Sequence, residues 1–139
     1  MLARIFGKAE PWSLLPLRIV VGIIFIIHGG QKLFVFGFSG VAGFFGQIGI
    51  QPAMFWAVIV TLVEFLGGIA ILVGFLTRWA ALLIAIDMLV AILWVLLPKG
   101  FFASKGGYEF ELLILAGCLT LLLAGAKRPS VDQTLPKEI

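Results

Sequence analysis

The chain has 139 residues, a length that suits one domain, of which 62% are hydrophobic and 12% charged. Soluble domains run at roughly 45–50% apolar and about 25% charged residues, and a mean hydropathy of +1.19 leaves too little polar surface for a water-soluble globule. The formal net charge of +3 does not point to nucleic acid, because the basic residues fall between and beyond the apolar stretches, where they govern membrane topology.

Residues 1–13 place Leu2, Ile5, Phe6 and Ala9 at helical spacing with Arg4 and Lys8 off that stripe, the pattern of a segment lying on the membrane surface. The apolar run that follows continues through Phe36 without an A-x-A cleavage site, which predicts an uncleaved first span over 14–36. Within it Arg18, Gly22, Phe25, Gly29 and Lys32 recur at spacings of four and three, one stripe of a helix with His28 on its flank. Ile23, Ile24 and Ile27 are left to face lipid, while the glycines let a neighbouring backbone approach.

Between Gly37 and Gly49 a glycine recurs every third residue, and the expectation is a short interfacial helix or a re-entrant segment over the outer mouth of the bundle. Pro52 opens a second span over 52–76, proline being tolerated in a first helical turn. Glu64 stands in its middle, with twelve uncharged residues on either side. At ~1.5 Å per residue such a stretch exceeds a hydrocarbon core of roughly 30 Å, so the carboxylate is placed near mid-depth, where it needs a partner, a proton or a wet cavity. Ala57, Thr61 and Gly68 share its face. A third span, 79–97, carries Asp87 on a stripe with Ala80, Ala91 and Trp94, and a fourth, 108–124, has Glu109 and Glu111 in its first turn, where carboxylates suit the positive helix end. The polar tail 125–139 completes a single domain.

These elements predict an all-α integral membrane protein, a four-helix bundle with both termini on one side. Arg4, Lys8, Arg78, Lys127, Arg128 and Lys137 fall on that side against Lys32, Lys99 and Lys105 opposite, so the termini are expected in the cytoplasm. Helical rise sets His28 roughly 21 Å and Glu64 roughly 18 Å from the cytoplasmic boundary, a level that opens a His28–Glu64 hydrogen bond. Arg18 at roughly 6 Å and Asp87 at roughly 12 Å form a second expected pair, a structural ion pair. Lys32, Glu109 and Glu111 form a third cluster near the outer boundary. The single Cys118 allows no CxxC chemistry, and one histidine cannot supply a bis-histidine haem, leaving His28 with Met88 as the remaining axial combination. No metal set is expected.

Several segments resemble the DoxX family of small four-span membrane proteins. They are Arg18 and Gly22 leading into His28-Gly29-x-x-Lys32-Leu33-Phe34, then Glu64 with Gly67 and Gly68, then Gly74 and Thr77-Arg78. Gly100-Phe101-Phe102, Gly106-Gly107-Tyr108-Glu109 and Gly125 with Ser130-Val131-Asp132 complete the series. By that resemblance Glu109, rather than Glu111, is the family carboxylate; Pro98-Lys99 stands where a histidine is often found. The resemblance implies a subunit of a quinone-linked redox complex of the inner membrane, similar to the membrane part of a thiosulfate:quinone oxidoreductase and tied to oxidative stress or quinone detoxification. Quinone is the implied ligand, and His28, Lys32, Glu64 and Glu109 are the candidates for binding it or relaying its protons. Electrons would come from soluble or membrane partner proteins, the lipid bilayer being the other partner. Two further readings stay open: a small transporter or proton pathway carried by Glu64 and Asp87, which would need a homo-oligomer, and a non-catalytic anchor for soluble oxidoreductases.

Overall fold

The computed structural model describes residues 1–136; Lys137, which enters the charge balance above, lies outside them. Among the described residues there is no strand. A short amphipathic helix α1 (Leu2–Phe6) and a 3₁₀ stretch (Gly7–Trp12) lead into α2 (Leu15–Gly30), which runs on through wide π-helical turns at Gln31–Phe36. Gly37 then breaks the run with φ +69°, a left-handed conformation that a side chain would strain, and α3 (Gly37–Gln47) follows. The glycine-every-third segment is therefore helical. Next come α4 (Ala53–Val73), α5 (Thr77–Val90) with its π-helical continuation Ala91–Leu96, and α6 (Glu109–Ala124).

Three helical runs are long and apolar enough to cross a membrane: Leu15–Gln47, Ala53–Val73 and Thr77–Lys99. The expected fourth, α6, has 16 residues, about 24 Å of helix, shorter than a hydrocarbon core. It packs along α5 all the same, contributing Ile114, Cys118 and Leu121 to a core shared with Val21 and Phe25 of α2 and with Ala81, Ile84 and Ala85 of α5. A second, smaller core sets Val41, Ala42 and Phe45 of α3 against Ala57 of α4. Trp94 Nε1 donates to Ile48 O at 2.9 Å and so ties the end of α3 to the far end of α5.

The tightest contact is α2 on α4. A Cβ on Gly22 would lie 2.9 Å from Gly68 O, and one on Gly29 would lie 2.4 Å from Phe65 N, so these backbones touch where the glycine stripe of α2 faces α4. Since lipid is as apolar as any side chain, such close packing supplies association energy that burial alone does not. Residue numbers rise on α2 as they fall on α4, so the helices are antiparallel. Gly29→Ala should lower stability by about 1–3 kcal/mol through overpacking. Gly43→Ala, whose new Cβ would meet nothing within 4 Å, should be neutral or better. Thermal unfolding of the two variants in one detergent checks the contrast.

The terminal segments meet at one end of the bundle. Arg128 N–H donates to Pro11 O at 2.9 Å, and Lys127 pairs with Glu10. Arg18, 1% exposed, fills the space between α4 and the tail. Its guanidinium donates to Ile71 O (3.1 Å) and Leu72 O (3.0 Å) at the C-terminus of α4, and to Ala126 O (3.2 Å) and Pro129 O (2.6 Å) in the tail. Carbonyls left over at a helix end are thereby satisfied. Asp132 supplies the matching device at the start of α5, its carboxylate accepting from Leu76 N–H at 2.6 Å and Thr77 N–H at 3.0 Å. The Arg18–Asp87 ion pair expected from depth does not form: among the described residues Arg18 bonds only these carbonyls.

Candidate functional site

Inside the half of the bundle away from the termini lies a cavity of about 850 Å³, bounded by α2, α3, α4, α5 and the first turn of α6. Its walls are mostly aliphatic and aromatic, with Phe25, Phe44, Phe45, Trp56 and Phe110 among them. Five ionisable residues reach it: His28, Lys32, Glu64, Asp87 and Glu111. An apolar chamber with a few convergent polar groups is the usual form of a small-molecule site.

Lys32 Nζ lies 2.5 Å from Glu64 Oε2, a charge-assisted hydrogen bond in which the ammonium donates to the carboxylate. Glu64 is 4% exposed, while the Lys32 side chain keeps a quarter of its surface open. Side chains lean toward the N-terminus of their own helix. On antiparallel α2 and α4, Lys32 and Glu64 therefore lean toward each other across the levels that separate their backbones. The same lean carries Arg18 away from Asp87 and toward the chain termini. Cα depth alone favours His28 as the partner of Glu64, but His28 is exposed on the outer face of α2 and stands at the rim of the cavity rather than on the carboxylate.

Asp87 of α5 stands next to Glu64 and within electrostatic reach of Lys32. Its Oδ2 is buried with no hydrogen-bond partner among the described residues, and so is Glu111 Oε2. The cavity thus sets three carboxylates against one lysine and a rim histidine. Glu109 belongs elsewhere: it does not line the cavity, and its Oε1 accepts from Ala103 N–H at 2.9 Å. It braces the loop in which Tyr108 N–H donates to Gly100 O (3.1 Å) and Gly107 N–H to Phe102 O (2.8 Å). The Gly-Phe-Phe and Gly-Gly-Tyr-Glu elements are thus parts of one folded loop.

Of the four ligand candidates read from the sequence, the structure brings His28, Lys32 and Glu64 to the cavity and leaves Glu109 outside. Asp87 and Glu111 were not among them. A signal for Glu111 existed: with Ile114, Cys118 and Leu121 it falls at spacings of three and four, on the buried face of α6.

The fold and cavity define a small all-helical membrane protein with a polar-headed chamber inside its apolar region. The DoxX family matches residues 13–97, and the chain belongs to that family. It is 35% identical over 126 residues to "Putative oxidoreductase CatD" of Bacillus subtilis, covering 91% of this chain and 89% of that one. It is 35% identical to "Uncharacterized membrane protein Rv3486" of Mycobacterium tuberculosis (96% and 88% covered). The same identity holds to "Inner membrane protein YqjF" of Escherichia coli (94% and 98% covered). No solved structure matches the chain.

Proposed function

We propose that this protein is the membrane subunit of a quinone-linked redox complex, and that the cavity between α2, α4 and α5 holds the quinone headgroup. The observation that carries the reading is the Lys32–Glu64 pair at the head of a large apolar chamber. A lipid-soluble aromatic headgroup needs apolar walls and one or two convergent polar groups to fix its orientation. Exposed lining residues such as Ile59, Leu83 and Ile86 open the chamber onto the apolar flank of the bundle, so such a ligand reaches it from lipid. The relative named an oxidoreductase supports redox chemistry. This chain contributes binding and proton exchange through His28, Lys32 and Glu64, while the electrons pass to and from a partner protein.

The topology belongs to the same proposal. α6 makes a fourth, short crossing, with locally thinned lipid or interfacial residues filling the difference. Both termini lie in the cytoplasm, in accord with the basic-residue balance and with the meeting of the two terminal segments.

Glu64→Gln and His28→Ala should each weaken binding of a short-chain quinone to the purified protein in nanodiscs by about tenfold, the scale of one polar contact. Quinone-dependent activity of the co-purified complex should fall in parallel. If both variants bind quinone and sustain activity as the wild type does, the reading is wrong.

A further inference from the structure

Asp87 Oδ2 and Glu111 Oε2 are both buried, both belong to residues that border the cavity, and neither atom has a hydrogen-bond partner among the described residues. Among the described residues Lys32 is the one lysine at the cavity, and it is already engaged by Glu64. Buried acceptors without donors are costly, and a site of that kind is completed by whatever brings donors to it. The chamber opens onto the apolar flank through exposed aliphatic residues, so its occupant must also partition into lipid. An uncharged ring bearing hydroxyl groups meets both requirements, since its O–H groups donate and its body fills the aromatic chamber. A quinone has only carbonyl acceptors, which would face the same unpartnered acceptors on Asp87 and Glu111.

We propose that the cavity is selective for the reduced, dihydroxy-aromatic member of the redox couple, whose hydroxyls donate to Asp87 and Glu111 while the Lys32–Glu64 pair closes the inner wall. This inference rests on the quinone-linked reading and adds to it the redox form that is bound and two residues that select it. Lys32 shares the function by holding Glu64 in place at the inner wall. Binding alone is assigned here, with no transfer of electrons or protons within this chain.

The test uses the full-length protein in nanodiscs under anaerobic conditions. Three probes of one shape are titrated: tetramethylhydroquinone, tetramethylbenzoquinone, and the dimethyl ether of the hydroquinone. The hydroquinone is expected to bind about tenfold or more tighter than the other two, the scale of one or two hydrogen bonds. Asp87→Asn and Glu111→Gln place amide donors where acceptors stood. Each should erase most of that preference, chiefly by weakening the hydroquinone, with the quinone unchanged or improved. Asp87→Leu, which keeps the volume but removes the acceptor, should weaken the hydroquinone without strengthening the quinone.

The outcomes separate cleanly. Equal or tighter binding of the quinone overturns this inference and leaves the quinone-linked reading standing, because protonated carboxyls would then be donating to carbonyls. Absence of binding by all three probes overturns both. Tight binding of tetraphenylphosphonium, a lipophilic cation without donors, that displaces the hydroquinone and is lost in both amide variants would mean that the carboxylates select charge. That result too overturns the inference.

Discussion

Lys32→Met should lower stability by about 3–5 kcal/mol, the cost of stranding one member of a buried ion pair. Glu64 is 4% exposed and sits beside a second carboxylate, Asp87, so without Lys32 it loses its counter-charge and keeps a like charge next to it. Glu64→Gln should cost less, because an amide needs no counter-charge. The double variant Lys32→Met with Glu64→Gln should recover most of the loss, giving a coupling energy well above the few tenths of a kcal/mol expected for independent sites. Thermal unfolding of the four proteins in one detergent measures it. Identical unfolding of Lys32→Met and the double variant would mean that the pair does not hold the bundle.

The second large effect lies at the opposite end of the bundle. Arg18→Leu removes four hydrogen bonds to carbonyls of α4 and the tail. Each charge-assisted bond contributes about 1.5–3 kcal/mol when measured singly, and because they share one side chain their loss is not additive. A total of about 3–5 kcal/mol is expected, with the tail released from the end of α4. Arg18→Lys should recover little, since one ammonium cannot span Ile71 and Leu72 on one side and Ala126 and Pro129 on the other. Limited proteolysis should cut the tail after Ala126 rapidly in Arg18→Leu and slowly in the wild type. A tail as protected in the variant as in the parent would contradict this account of Arg18.

Much of this was legible in the residues. Spacing alone put Arg18, Gly22, Phe25, Gly29 and Lys32 on one stripe of α2, and Ala57, Thr61, Glu64 and Gly68 on one stripe of α4. These are the faces that meet, with every residue buried except Lys32, whose head reaches into the cavity. Pairing by Cα depth failed for a definite reason. It ignores the N-terminal lean of side chains, which on antiparallel helices shifts two facing groups in opposite directions. That lean brings Lys32 to Glu64, leaves His28 at the rim, and turns Arg18 from Asp87 to the carbonyls of α4 and the tail. The choice of Glu109 over Glu111 followed a family motif whose carboxylate braces a loop. The periodicity of α6 would have chosen Glu111. The role of Asp132 could not be read from spacing, because it depends on the tail folding back across the bundle to the start of α5. Nor was the cavity itself foreseeable, since it arises where α3 packs back on α4 after the break at Gly37.

The location of the ligand is tested most directly by photolabelling the protein in nanodiscs with an azidoquinone and mapping the modified residues by mass spectrometry. The label should fall on cavity residues such as Ile59, Val63 and Ile86, be displaced by unlabelled quinone or hydroquinone, and need about tenfold more probe in Glu64→Gln. Label spread over outward-facing residues such as Phe55, Leu66 and Leu93, undiminished by competitor, would mean that the chamber holds no such ligand.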